Sequence, residues 1–189
     1  TLIQALKEGV KAPKNSKLPA YFAQFLSVYL ANQDSPELIT WEDYLASLYY
    51  AYAMKCSNKF VSEWFELNLN INNILSAITC RKFGWDKKAY IIGNNKVAES
   101  IRSSNARDFG LGDEVDYLPE LIRIAEEPDL TLREKKLDVL KWNWLDEKTF
   151  FKTFDIESVF AYMLKLEMIE RWVTLDKEAG EKTFRELVK

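Results

Sequence analysis

Between Pro36 and Gly84 run 47 residues without a single glycine or proline. Such a stretch lacks the two residues that most readily interrupt a helix. Its apolar residues Trp41, Leu45, Leu48, Tyr52, Cys56, Phe60, Trp64, Leu67, Ile71, Leu75 and Ile78 recur in ten steps over 37 positions. The mean spacing of about 3.7 is that of one face of an α-helix. The stripe passes Ser57-Asn58 without slipping phase, so a single helix is expected. Thr40 is its N-cap, with Asp43 standing where a capping box has Glu or Gln. From Trp41 to Phe83 such a helix would measure about 65 Å, whereas a compact chain of this length is about 40 Å across. Either the helix bends near Ser57 or the molecule is elongated, and elongation is the expectation.

The remaining segments also read as helices. A basic lead-in, residues 1–19, carries Lys7, Lys11, Lys14 and Lys17 with Pro13 and Pro19. It is expected to be partly ordered, with a short helix over Leu2–Val10 as an alternative. Residues 20–189 are expected to form a single helical domain. Tyr21, Phe22, Phe25, Leu26, Tyr29 and Leu30 mark a first helix ending near Asn32, and Asp34-Ser35-Pro36 makes a turn. A short helix is predicted over Asn95–Ser103. Pro119 opens another to about Glu127. Thr131 with Glu134 caps one to about Leu145, Asp155 caps one to about Thr174, and Asp176 caps the last. No hairpin signal or internal repeat is present. The expected fold is all-α, an elongated bundle of about seven helices with one very long helix.

Composition excludes several kinds of chemistry. Histidine is absent, which removes Ser-His-Asp and Cys-His nucleophile systems, His-ligated zinc and Glu-x-x-His di-iron sites. Glycine numbers 6, where average usage would give about 13, and no glycine-rich phosphate loop is built. The 26 Lys and Arg against 29 Asp and Glu give a net charge of −3, without the basic excess of a nucleic-acid binder. No apolar run is long enough to span a membrane. Cys56 and Cys80 point to different faces of one helix, so free, buried thiols in a reducing cytosol are expected. The chain begins with Thr1, as a fragment or trimmed chain would.

Several constellations invite a functional reading. Asp108-Phe109-Gly110 after Arg107 could hold magnesium in a kinase, but the His-Arg-Asp loop that reading requires is impossible here. A turn between helices is the plain account. Glu167 and Glu170 fall on an apolar helix face. There they would be either a carboxylate acid/base pair or buried anions, Glu167 paired with Arg171 and Glu170 with Arg81 or Arg102. The second reading is preferred. Asn68, Asn70, Asn72 and Asn73 crowd one stretch despite poor helix propensity. Asn68 and Asn72 are expected to bond backbone ends of neighbouring elements, with a ligand or partner contact as the alternative. Trp142 and Trp144 are candidate partner anchors, with core packing for at least one. Arg133, Lys135 and Lys136 read as a solvated face.

Three segments carry a resemblance: AYAMKCSNKFVSEWFELNLNINNILSAITCRKFG, SNARDFGL, and LKWNWLDEKTFFKTFDIESVFAYMLKLEMIERWVTLDKEAG. From about Trp41 to the C-terminus the chain resembles a bacterial family, largely from Bacteroidota and longer at the N-terminus, encoded in V-type (A/V-type) ATPase operons. The helix ending Leu67-Asn68, Asn72-Asn73-Ile74-Leu75 and Arg81-Lys82-Phe83-Gly84 is similar to helices of the ATPase's all-helical socket, the component known as its C or d subunit. That socket joins the central stalk to the membrane rotor ring and has no catalytic residues. This chain is much shorter than a full socket, which is built from three related helical units.

The resemblance implies a non-catalytic, cofactor-free adaptor supporting ion and proton transport. It would contact central-stalk and rotor-ring subunits, bind no nucleic acid, and lie at the cytoplasmic side of the inner membrane through the complex. Expected contact or buried polar residues are Asn68, Asn72, Arg81, Arg107, Asp108, Trp142, Trp144, Glu167 and Glu170. The alternatives are a helical scaffold unrelated to the ATPase, or a small-ligand or carboxylate enzyme built on Glu63, Arg81, Glu167 and Glu170.

Overall fold

The 47-residue stretch folds as two helices, not one. The computed structural model describes residues 19–31, 40–175 and 177–188, with their side chains except those of 113, 177–179 and 187. Eight α-helices follow in order among them: α1 (Ala20–Ala31), α2 (Trp41–Ala53), α3 (Lys59–Phe83), α4 (Lys96–Ser103), α5 (Leu118–Ala125), α6 (Leu130–Thr149), α7 (Ile156–Thr174) and α8 (Lys177–Leu187). Single 3-10 turns lie at Lys87–Ala89 and Gly112–Glu114, and the described residues contain no strand. None of their helices is long and apolar enough to cross a membrane.

The break between α2 and α3 has a local polar cause. Asn58 leaves the helical region at φ −78°, ψ 115°, and its side chain accepts from the Val61 N–H at 3.1 Å. The Ser62 hydroxyl donates to the Met54 carbonyl at 2.8 Å. These side chains offer the backbone alternatives to the i−4 ladder, as Asn and Ser do at caps. The very long helix is therefore corrected to helices of 13 and 25 residues, the longer about 37 Å. The apolar stripe keeps its phase because α2 and α3 pack against each other. Tyr49 and Phe65 meet edge-on at 5.5 Å, and Asn72 donates to the Tyr50 hydroxyl at 3.1 Å. Cys56, expected in a buried helical position, lies exposed in this break, whereas Cys80 is buried.

Other helix ends follow the sequence closely. Thr40 accepts from the Asp43 N–H and donates to its carboxylate. Asn95 caps α4, Pro119 sits in the first turn of α5, and Asp155 caps α7 by accepting from the Ser158 N–H at 2.8 Å. One cap is corrected: α6 starts at Asp129, which accepts from the Leu132 N–H at 2.9 Å, rather than at Thr131. The same helix runs on to Thr149. The basic lead-in, the Asp34-Ser35-Pro36 turn and the Asp176 cap lie outside the described residues.

The chain divides into two compact units, Thr1–Glu126 and Glu127–Lys189. In the first, α1 lies against α2 through a ladder of rings. Tyr21 meets Tyr52 at 5.2 Å, Phe25 meets Tyr44 at 6.0 Å, and Tyr29 meets Trp41 at 5.0 Å. The reversed order of these pairs makes the two helices antiparallel. Behind them α3 is covered by α4, α5 and the loops, which bury Leu69, Ile71, Ile74, Ile101, Phe109 and Leu121. In the second unit α6 packs along α7 and buries Leu137, Leu140, Leu145 and Ala161.

Candidate functional site

Two asparagines of α3 are clasps for loops, and they are not the two singled out from the sequence. Asn68 donates to Trp64 O of its own helix at 2.8 Å, and Asn72 is exposed beside Tyr50. Asn70 and Asn73 are the buried ones, at 6% and 1% exposure. Asn73 donates to the Ile92 carbonyl at 2.8 Å and accepts from the Ile92 N–H at 3.0 Å. This two-bond clip satisfies both polar groups of a half-buried residue. Asn70 accepts from Asn95 at 2.8 Å and is hydrogen-bonded to the Tyr117 hydroxyl. It thereby ties α3 to the N-termini of α4 and α5. Burial pushes the Tyr117 hydroxyl pKa up to about 12, against the smaller opposing effect of Asn70.

Arg81 has the same kind of task. Its guanidinium donates to the carbonyls of Ala106 (2.6 Å) and Arg107 (2.9 Å) and lies 4.1 Å from the centre of the Phe109 ring. Phe109 is fully buried at φ +58°, a left-handed conformation that non-glycine residues adopt only when held. Asp108 accepts from the Gly110 N–H at 3.1 Å, closing the turn. The Asp-Phe-Gly segment is thus a packed corner, and the side chain of Arg107 is exposed at its edge. Arg102 donates to Ile91 O and Gly93 O at 2.8 and 2.7 Å. Gly93 itself is required there: its φ is +76°, and a Cβ would stand 3.0 Å from Leu69 Cδ2.

The expected pairing of Glu167 and Glu170 is corrected. Arg81 and Arg102 serve carbonyls, and Arg171 bonds to Asp138, which also accepts from Trp172 Nε1 at 2.6 Å. Both glutamates are exposed on α7. They lie on an apolar face as read from the sequence, but that face is uncovered. Ile156, Val159, Met163, Leu166 and Val173 are between 50% and 78% exposed. Beside this face, between α6 and α7, runs a cleft of about 340 Å³ lined by Val139, Trp142, Met168, Ile169, Trp172 and Val173, with Lys135 and Asp138 at its rim. Trp142 is half-buried under the Lys165 ammonium, 5.0 Å from its ring centre. Trp144 is half-buried and holds Lys148 at 5.4 Å. Lys135, read as solvated, covers Trp172 at 5.3 Å.

Among the described residues the acids and bases singled out from the sequence do not converge within either unit. Glu63 pairs with Lys59 at 3.4 Å on α3, Arg81 is committed to two carbonyls, and Glu167 and Glu170 belong to the other unit. Among the described residues no group of His, Cys, Asp and Glu could hold a metal ion. Burial raises the Cys80 thiol pKa, which keeps it protonated and unreactive.

The family model "Protein of unknown function (DUF2764)" matches residues 1–189, the whole chain. The chain belongs to this family. No curated protein and no solved structure matches it. For a member of the family, the built surface is the apolar face of α7 with its flanking cleft. The signal for it in the sequence is the apolar helix face on which Glu167 and Glu170 fall.

Proposed function

We propose that this chain is a non-catalytic helical adaptor of a V-type (A/V-type) rotary ATPase, placed like the socket between the central stalk and the membrane rotor ring. The observation that carries the adaptor reading is the uncovered apolar face of α7. A monomeric soluble surface seldom leaves a contiguous apolar patch of several hundred Å² open. The likeness of the Trp41-to-C-terminus segments to a family of ATPase operons supports the choice of complex. The clasps in residues 1–126 support a mechanical role. Asn70, Asn73, Arg81 and Arg102 fasten loops to helices by side-chain bonds, mostly to backbone, as a part that bears load requires. In this reading the protein supports ion transport without touching ATP, lies at the cytoplasmic side of the inner membrane, and contacts stalk and ring subunits.

A pull-down of the tagged chain from native membranes, read by mass spectrometry, tests the proposal. Recovery of central-stalk and rotor-ring subunits is expected. Recovery of a different complex would make the chain a scaffold outside the ATPase, and this reading would fall.

A further inference from the structure

The outward side of α7 is patterned as well as apolar. Ile156, Val159, Met163, Leu166, Glu170 and Val173 follow one another at spacings of three, four, three, four and three residues. That alternation is the a/d seam of a coiled coil. At about 100° per residue these six positions lie within an arc of about 100°, while buried Ala161 points the opposite way, into α6. The helix thus uses one side for its own unit and leaves a complete second seam, about 26 Å long, without a partner helix among the described residues. Tyr162 and Ile169 widen the seam toward the cleft at 66% and 48% exposure.

The seam has one charged member. Glu170 occupies an a position, and exposed Glu167 flanks it on the next turn. The basic residues of α7 lie elsewhere: Lys165 is bonded to Asp146 and Arg171 to Asp138, both of α6. On α6 the nearest cation at the cleft, Lys135, lies against Trp172. A helix closing over this seam would desolvate the Glu170 carboxylate, which is costly unless the incoming helix supplies a cation. The α7 seam of a second copy does not supply one. Parallel pairing sets Glu170 against Glu170, and antiparallel pairing sets it against an aliphatic residue. An anionic lipid surface is disfavoured by the same two glutamates.

We propose that the a/d seam of α7 docks an amphipathic helix of a partner protein, whose apolar stripe carries one lysine or arginine facing Glu170. The inference rests on the adaptor reading and names the chemistry of the partner. It does not depend on the partner's belonging to an ATPase.

The test uses the full chain and two labelled three-heptad peptides with leucine at a and d, one bearing lysine and the other glutamate at the central a position. Fluorescence anisotropy is expected to show the lysine peptide binding at least ten-fold more tightly. Glu170→Lys should reverse the preference, and Leu166→Asp should abolish binding of both peptides. Both positions are exposed, so unchanged circular dichroism is expected in each variant. Equal binding of the two peptides, or no binding, overturns the proposal. So does sedimentation of the unliganded chain as a dimer that Leu166→Asp dissociates. The native-membrane pull-down separates the two readings. Peptide binding without ATPase subunits removes the ATPase alone, whereas recovery of those subunits by Leu166→Asp as readily as by the wild type removes the α7 seam alone.

Discussion

Among the described residues, two polar side chains of the first unit go inward, whereas most apolar side chains on one face of α7 in the second stay out. Asn70 and Asn73 sit buried beneath loops that they hold by backbone and side-chain bonds. Glu167 and Glu170, also spaced three apart on a helix, stand in solvent amid aliphatic side chains. Burial of an amide is tolerated when each of its groups finds a partner, and Asn73 finds two on one peptide. The two cations that share the glutamates' helix are taken up elsewhere, Lys165 by Asp146 and Arg171 by Asp138. The polar groups buried in the first unit are thus finished by its own contacts. The second leaves an apolar face of α7 exposed.

The largest expected effect breaks the finished unit at its clip. Asn73→Leu leaves the Ile92 N–H and carbonyl without partners and is expected to cost about 3 kcal/mol. Hydrogen exchange should place the loss in α3 and α4 and leave α6 and α7 protected as before. A loss below about 1 kcal/mol would mean that the Ile92 peptide does not depend on Asn73.

High pH should separate the units next. The Tyr117 pKa is raised by burial to about 12 from 10.0, so its contribution is intact below pH 10 and is lost as pH rises through 10 to 12. The loss amounts to roughly 3 kcal/mol. Tyr49 and Tyr50, also raised chiefly by burial, add to the same slope. Lys141 in the second unit has the opposite sign. Burial lowers its pKa, so stability is gained as pH rises from that lowered value toward 10.5. Urea melts followed across this range in the wild type and in Tyr117→Phe check the slope, which the variant should flatten. An unchanged slope would exclude Tyr117 as its source.

A smaller change sharpens the boundary of α3. Asn58→Ala removes the cap on the Val61 N–H and should cost about 1 kcal/mol, with faster exchange confined to the first turn of α3. The smallest expected effect belongs to the exposed seam. Val159→Ser with Met163→Ser should change stability by within about 0.5 kcal/mol, measured by thermal melting. A loss above about 2 kcal/mol would show that these side chains pack in the chain's own core, and the contrast between the two units would disappear.

Helix type and most helix ends were legible because their causes are local. A 3.7-residue stripe, Thr40, Asn95, Pro119 and Asp155 each act on neighbours within four residues. The same locality explains the misreadings. Asn58 is as good a cap as Thr40, but an unbroken apolar phase argued for continuity through it. Asp129 competes with Thr131 two residues later, and the earlier cap prevails. The buried Asn73 and the exposed Asn72 are adjacent and chemically identical, so only the direction of the neighbouring loop distinguishes them. Arg81 could have faced Glu170 by charge, yet the carbonyls of Ala106 and Arg107 take up its guanidinium.

By itself, then, the sequence determined an all-helical chain, most of its helix ends, and a helix at 156–174 whose apolar face carries two glutamates. Those properties arise from spacing, capping and composition along the chain. Tertiary structure decided that α2 folds back on α3, that Asn70 and Asn73 rather than Asn68 and Asn72 do the clasping, and that the glutamate-bearing side of α7 faces outward. Each of these depends on which distant segment packs against a given face, and helical periodicity carries no information about that.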